Sequence, residues 1–430
     1  MQGTVASPTK ACIQVDTLGR DCYNYSEGLF LYKNCVYIPP ISMCDDIASI
    51  SRCGIDSIKT NAIINSKIES KKLEFGPNKC YNIHVGSNLD NWCNLKVHSS
   101  KMVQKDSEVY LGDVICNSGK NEKNITKKAN QGLGAVSQIF VMLNQISLGY
   151  YFYEMALLFR DTNLVSKLVS SSEVWYNISK SKYQKLQAID EMFLRRLFDV
   201  PVTTPKESLY LEGGKMPVKF IIKSRRVMYW WHIVSLDKSE LLYKVYMGQT
   251  LNPDKDDWIC QLEQDKKDLH FNLKDEEIKS FSKDQFKRLV RSKVEIYAAK
   301  KLEELRISHS KTQNLKFDGF HPAEYLLSKN LSTEEVQTLF KLRNRMVQVK
   351  GNFANGNKDN MWCKTCKLFT ETQEHLVECP AIRLRTKSLI NFQEVSCEMI
   401  FGTIKNQEKI AKSYHIILEA RKDILQDMEN

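Results

Sequence analysis

Cys363 and Cys366, followed by His375 and Cys379, have the spacing C-x2-C-x8-H-x3-C within a sequence of 430 residues. Three thiols and an imidazole at this spacing suit tetrahedral zinc, which prefers soft thiolates and a ring nitrogen. With four protein ligands no coordination position stays open, so the pattern predicts a structural Zn²⁺ and not a catalytic one. Chance pairing among 13 cysteines is the competing account, and the ligand order and short loop argue against it. Trp362, Lys364, Lys367 and Phe369 surround the cluster and could hold single-stranded nucleic acid by stacking and charge. Trp362 could equally pack beneath the metal loop as local core.

Asp45 and Asp46 stand side by side between apolar flanks, Ile38-Pro39-Pro40-Ile41 before and Ile47-Ala48 after. Like charges held so close are costly, and a divalent cation is the usual compensation. Two-metal phosphoryl transfer uses such carboxylates to hold Mg²⁺ against substrate phosphates, and a strand-turn-strand hairpin would present the pair at its tip. Adjacent aspartates also occur at ordinary exposed turns, so this pair alone does not decide between the two.

A third set of residues combines charge with aromatics. Lys219, Lys223, Arg225 and Arg226 alternate with Phe220, Tyr229, Trp230 and Trp231, which suits a groove that tracks a phosphate backbone. Helical spacing would bury Val227, Trp230, Trp231 and Val234 as core, and makes His232 a structural histidine rather than a catalyst. Residues 281–305 repeat the theme, with Lys283, Lys287, Arg288, Arg291, Lys293, Lys300 and Lys301 around Phe286, Leu289, Val290, Val294 and Ile296. This predicts a basic amphipathic helix, whose outer face is either solvated or a polyanion contact.

The elements that must position these groups divide the chain in character. The first ~115 residues mix short β-rich runs with turn signals, such as Cys35 to Ile38 before Pro39-Pro40 and Tyr81 to Val85 before Gly86. From about Asn124 helical periodicity takes over; between Tyr183 and Phe198, Leu186, Ile189, Phe193, Leu194 and Leu197 recur at spacings of three and four. The fold class expected is α+β, with a mainly helical remainder. Pro201, Pro205 and Gly213-Gly214 mark one boundary, and a second begins near Lys350.

Composition narrows the rest. The 62 Lys+Arg against 51 Asp+Glu leave a formal charge of +11, which favours polyanion partners without naming a site. Scattered cysteines without a signal peptide fit a reducing intracellular compartment, nucleus or cytoplasm, and not a secreted disulfide scaffold. Ala135 to Phe159 is the most apolar long stretch, but Gln138, Asn144, Gln145 and Glu154 interrupt it. It reads as a buried helix or helix pair, and no membrane partner is expected.

Several segments in a fixed order resemble the reverse transcriptase of non-LTR retrotransposons. Gln2-Gly3-Thr4-Val5-Ala6-Ser7-Pro8 resembles the family's template- and nucleotide-facing segment, and Asp45-Asp46 looks like its metal-binding hairpin downstream. Lys71 to Cys80 is similar to the segment that carries a lysine near the incoming triphosphate, and Tyr110-Leu111-Gly112-Asp113 to the primer-grip hairpin. Residues 209–232 resemble the connector after the thumb. Leu342-Arg343-Asn344-Arg345, together with the Cys/His cluster, resembles the C-terminal zinc knuckle.

The resemblance implies roles. Asp45 and Asp46 would bind catalytic Mg²⁺; Gln2, Gly3 and Lys79 would line the nucleotide and template site; Tyr110, Leu111 and Gly112 would support the primer end. Partners would be an RNA template, a DNA primer and deoxynucleoside triphosphates. The implied division is a partial palm over 1–118, a helical thumb over 119–200 and a basic connector over 201–345. A CCHC knuckle over 346–385 and a helical tail over 386–430 complete it. The family's fingers and an earlier metal-binding Asp lie upstream of its Gln-Gly, so the expectation is a truncated RNA-directed DNA polymerase, weak or inactive alone. Asp16 and Asp21 follow the first motif and offer no evident replacement. Met43-Cys44 also departs from the family's aromatic-Ala pair. The alternative is a non-catalytic, zinc-bearing nucleic-acid-binding protein derived from such an element.

Overall fold

Short β-rich runs become strands here only in pairs. In the computed structural model, which describes residues 29–31, 36–43, 46–51, 53–76, 79–85, 95–97, 100–146, 148–251, 253–315, 319–353 and 361–429, every described sheet has two strands. Antiparallel pairs join β1 (Leu29–Leu31) to β2 (Val36–Ile38) and β3 (Ile41–Met43) to β4 (Asp46–Ala48). β5 (Tyr81–Asn82) runs parallel to β8 (Val103–Gln104), while β6 (Lys96–Val97) and β7 (Ser100–Lys101) are antiparallel, as are β9 (Ser107–Tyr110) and β10 (Asp113–Cys116). The chain is mostly helical with few short strands, compatible with the α+β class expected.

Two compact units divide the chain, each assembled from three stretches. The first comprises Met1–Lys127, Glu173–Ile178 and Arg226–Phe286, and the second Lys128–Ser172, Ser179–Arg225 and Lys287–Asn430. The boundaries expected at 200/201 and 345/346 fall inside the second unit. Pro201 and Pro205 mark a turn between two of its helices, Lys180–Phe198 and Lys206–Gly213, rather than a linker.

In the first unit, paired strands need an outside surface to pack on, because an isolated hairpin is marginal in water. The Gly54–Ser70 helix supplies one: Ile64 and Ile68 are buried, with Ile47 of β4, Leu73 and Phe75 packed against them. The Asn61 and Asn65 side-chain amides donate to the Lys96 carbonyl at 2.6 and 2.9 Å and tie β6 to the same helix. The β9–β10 turn is Leu111-Gly112, both at positive φ (48° and 86°), as a two-residue hairpin of right-handed strand twist demands. Farther along, Trp230 is fully buried and its indole N–H donates to Asp275 and Tyr246. Arg226 is buried too, its guanidinium bound to Asp265 and to the Trp175 carbonyl.

The second unit is helical. Along Lys180–Phe198, Leu186, Ile189, Phe193, Leu194 and Leu197 are all buried, as their spacing predicts. Gly132 meets this surface at Ile189, where a Cβ would lie 3.3 Å from it and 2.4 Å from Leu168 of the Ser166–Val169 helix. Arg160, in a π-helical turn over Arg160–Val165, is fully buried and bridges both Asp190 oxygens at 2.7 Å. Tyr210 donates to the same carboxylate at 3.0 Å. The most apolar stretch is a helix pair as expected, the end of Glu122–Gln145 and then Phe152–Phe159. Among the described residues no helix is long and apolar enough to cross a membrane.

The stretch 386–430 ends in a long helix, Ile404–Glu429, which packs along Thr333–Arg343 and buries Ile410, Ala411, Tyr414 and Ile417. Those apolar positions recur at three- and four-residue intervals, giving the helix a face that only burial satisfies.

Candidate metal centre and nucleic-acid surfaces

The Cys363 loop is closed by its own backbone. The Cys363 N–H donates to the Phe369 carbonyl at 2.7 Å, the Lys367 N–H donates to the Cys363 carbonyl at 2.9 Å, and Lys367 takes a left-handed φ of 58° to complete the turn. His375 is presented by the Gln373–Glu378 helix, whose N-cap Thr372 hydroxyl accepts the His375 N–H at 3.0 Å. Cys379 immediately precedes Pro380, the first residue of the next helix, Pro380–Thr386. A proline there needs no partner for its missing N–H and fixes the entry angle of the chain.

These three supports bring the four ligand atoms within 4.8 Å of one another. Cys363 Sγ and Cys379 Sγ are 3.9 Å apart, and Cys366 Sγ lies 3.3 Å from His375 Nε2. Zinc at its usual bond lengths would separate tetrahedral ligand atoms by about 3.4–3.8 Å, so the cluster could hold a metal ion and fits zinc. It is the one such group among the described residues. Burial pushes the Cys363 thiol up, but N–H groups at Cys366 and Thr365 and the Thr365 hydroxyl outweigh it, and the net shift is downward. Burial raises Cys379 and lowers His375, which favours the neutral imidazole that metals bind.

Glu371 braces the centre, a role that its sequence neighbourhood does not announce. Its carboxylate is buried and accepts from Arg421 at 2.8 Å and from the Lys350 N–H at 3.1 Å. Its carbonyl takes the Gly351 N–H at 2.8 Å, where a Cβ would come 2.9 Å from that same oxygen. Tyr414, from the same helix as Arg421, donates to the Gln373 carbonyl. The metal loop and the Ile404–Glu429 helix are therefore one packed piece.

The outward side of the loop is apolar and basic together. Trp362, Leu368 and Phe369 are 57%, 61% and 56% exposed, and Lys364 and Lys367 are exposed beside them. Trp362 thus stands in solvent and not beneath the metal loop. Phe369 keeps one edge of contact, its ring centroid 5.4 Å from that of His375.

In the first unit, β3 and β4 form the hairpin expected around the paired aspartates, with Met43 opposite Asp46. Asp46 is exposed at the start of β4; Asp45 lies outside the described residues, as do Gln2 and Gly3. Tyr110, at the end of β9, directs its hydroxyl to the Ile41 carbonyl of β3 at 3.5 Å. Burial and then the charge of Asp46 raise the Tyr110 phenol. The two hairpins thus meet; Lys79 is exposed, and its N–H donates to the Gly76 carbonyl at 2.9 Å.

The basic set on the Val218–Ser235 helix separates into different fates. Arg226 is withdrawn from any phosphate role: it is fully buried, and Asp265 neutralises it inside the first unit. Burying a guanidinium is tolerable only with such a partner, and the partner is remote in sequence. Lys219, Lys223 and Arg225 of the second unit remain partly exposed. Val227, Trp230 and Val234 are core as expected, Trp231 is half-buried with its N–H on the Phe281 carbonyl, and His232 is exposed.

No protein-family model matches the chain, and no curated protein matches it.

Proposed function

We propose that this chain works in RNA-templated DNA synthesis, as part of a reverse transcriptase of the non-LTR retrotransposon kind. The observation that carries this reading is the meeting of two hairpins, one bearing Asp46 and the other Tyr110, in the first unit. A polymerase needs metal-binding carboxylates beside a support for the primer end, and it gains most of its rate from positioning and charge neutralisation. In this reading Asp45 and Asp46 hold Mg²⁺, Tyr110 to Gly112 supports the primer, and Gln2, Gly3 and Lys79 face the nucleotide and template. Mg²⁺ would neutralise charge on the phosphates, and the chain's own residues would fix the geometry around them.

The Cys/His centre holds a structural zinc in this proposal, since four protein ligands leave nothing open. Its exposed Trp362 and Phe369, with Lys364 and Lys367, favour a second reading: nucleic-acid binding without catalysis. RNA-templated primer extension with Mg²⁺ or Mn²⁺ separates the two. Extension that vanishes in Asp45→Asn and Asp46→Asn supports the polymerase. Folded protein that binds RNA but never extends a primer leaves the binding reading.

A further inference from the structure

Lys219 is the starting point. It sits in the first turn of the Val218–Ser235 helix, half-buried, with its Nζ 4.6 Å from the centroid of its neighbour Phe220. The Phe220 ring meets Tyr297 edge-on at 5.7 Å, and Tyr297 belongs to the Lys283–Ser308 helix. One turn farther along that helix, Lys301 places its Nζ 6.0 Å from the Tyr297 ring. Two ammonium groups from two helices therefore bracket one aromatic pair. Lys223 follows Lys219 at the i+4 position, on the same helix face. Lys206 opens the Lys206–Gly213 helix nearby.

The electrostatics agree with that placement. The Lys219 amine is lowered by burial first, and then by the positive charges of Lys206, Lys223 and Lys301, with Glu191 opposing them. Glu191 also accepts from Arg195 at 3.2 Å, and Lys301 shares Glu304 at 2.8 Å. Four like charges gathered on a partly desolvated aromatic floor repel one another, and a polyanion relieves the repulsion at several points at once.

We propose that Lys206, Lys219, Lys223 and Lys301 form a phosphate-tracking site for a single nucleic-acid strand, over the half-buried Tyr297 ring that the buried Phe220 supports from beneath. The site lies wholly within the second unit. It rests on the proposed function only in the choice of nucleic acid as the polyanion. Lys206 and Lys301 come from helices with no sequence motif in common with Lys219, so only the fold assembles the set. Arg226 has no part in it.

The test is binding of a short fluorescent single-stranded RNA to the full chain, read by anisotropy across a salt series. Removing one lysine that pairs with a phosphate should lower the slope of log K against log salt by about 0.7. A Lys206→Gln/Lys301→Gln variant should thus reduce the slope by about 1.4 and bind roughly tenfold more weakly at moderate salt, equally across RNA sequences. Lys219→Met, which keeps the apolar stem against Phe220, should lower the slope by the single-lysine amount. Lys238→Gln/Lys255→Gln, in the first unit, serves as control and should change neither quantity. A further readout is amine labelling of Lys219, which bound RNA should block. An unchanged slope in folded variants, with parent protein that binds RNA, overturns this site and leaves the polymerase reading intact. Parent protein that does not bind RNA overturns it as well. A lowered slope supports the site whether or not primer extension is seen.

Discussion

Glu371→Gln should weaken metal binding without touching a metal ligand. The carboxylate is 1% exposed and paired with Arg421, whose side chain is 14% exposed. It also accepts backbone N–H groups from Lys350 at 3.1 Å and Lys364 at 3.4 Å. Removing one partner of a buried pair costs about 3–5 kcal/mol, because the other charge stays desolvated. Glutamine keeps the size and one acceptor oxygen, and Arg421 reaches some solvent, so the lower end applies, about 3 kcal/mol. The ligands converge only when the loop is folded, so that loss passes into metal affinity at about tenfold per 1.4 kcal/mol, roughly a hundredfold. Competition with a chromophoric zinc chelator measures it directly, and Arg421→Met should shift the curve in the same direction. If both variants bind zinc within about threefold of the parent, the brace does not support the centre and the coupling argument fails.

Chelation of the bound metal should lower the thermal midpoint of the chain, and added zinc should restore it. A midpoint indifferent to chelator would argue against a metal in the Cys/His cluster. Asp190→Asn should destabilise the protein by about 3 kcal/mol in urea, since the buried Arg160 then keeps only the half-exposed Asp161 as a charged partner, while Arg160→Met/Asp190→Leu should recover much of the loss. Gly214→Ala should cost more than about 1 kcal/mol by the same assay, because the residue holds φ at 59° and a Cβ there would lie 1.9 Å from the His321 carbonyl carbon. The Cys397 thiol is pushed up to about 12 by burial and then by Glu374 and Glu378. At pH 8 only about one in ten thousand of these thiols is ionised, so iodoacetamide should modify it far more slowly than an ordinary exposed cysteine. Mass spectrometry showing rapid modification would contradict that burial.

What is legible in the sequence is local. The Lys180–Phe198 helix and its buried face follow from spacing alone, and apolar flanks on both sides of the paired aspartates point towards the β3–β4 hairpin. Leu111-Gly112 is picked out as a hairpin turn only by the resemblance, whereas the Cys/His spacing points directly to the centre. Arg226 is different: its fate depends on Asp265, 39 residues away, and on the Trp175 carbonyl, 51 residues away. No short window of sequence contains that information. Glu371 and Arg421 are 50 residues apart and escape a sequence reading on similar grounds. The Ile404–Glu429 helix is indistinct in sequence because burial on one face requires only ordinary aliphatic spacing, which carries no signature of what covers it.

The interleaving of the two units has a consequence for how the chain is made and cut. A ribosome delivers Lys128–Ser172 and Ser179–Arg225 long before the last stretch of the same unit, and the first unit waits for Phe286 to close. Until then the apolar faces of both stand open, a state in which a nascent chain needs chaperone cover. A protease nick near Pro201 would likewise free neither unit, since each of the two fragments would carry parts of both. Splitting this protein at the boundaries its prolines and glycines suggest would yield halves that are each incomplete twice over.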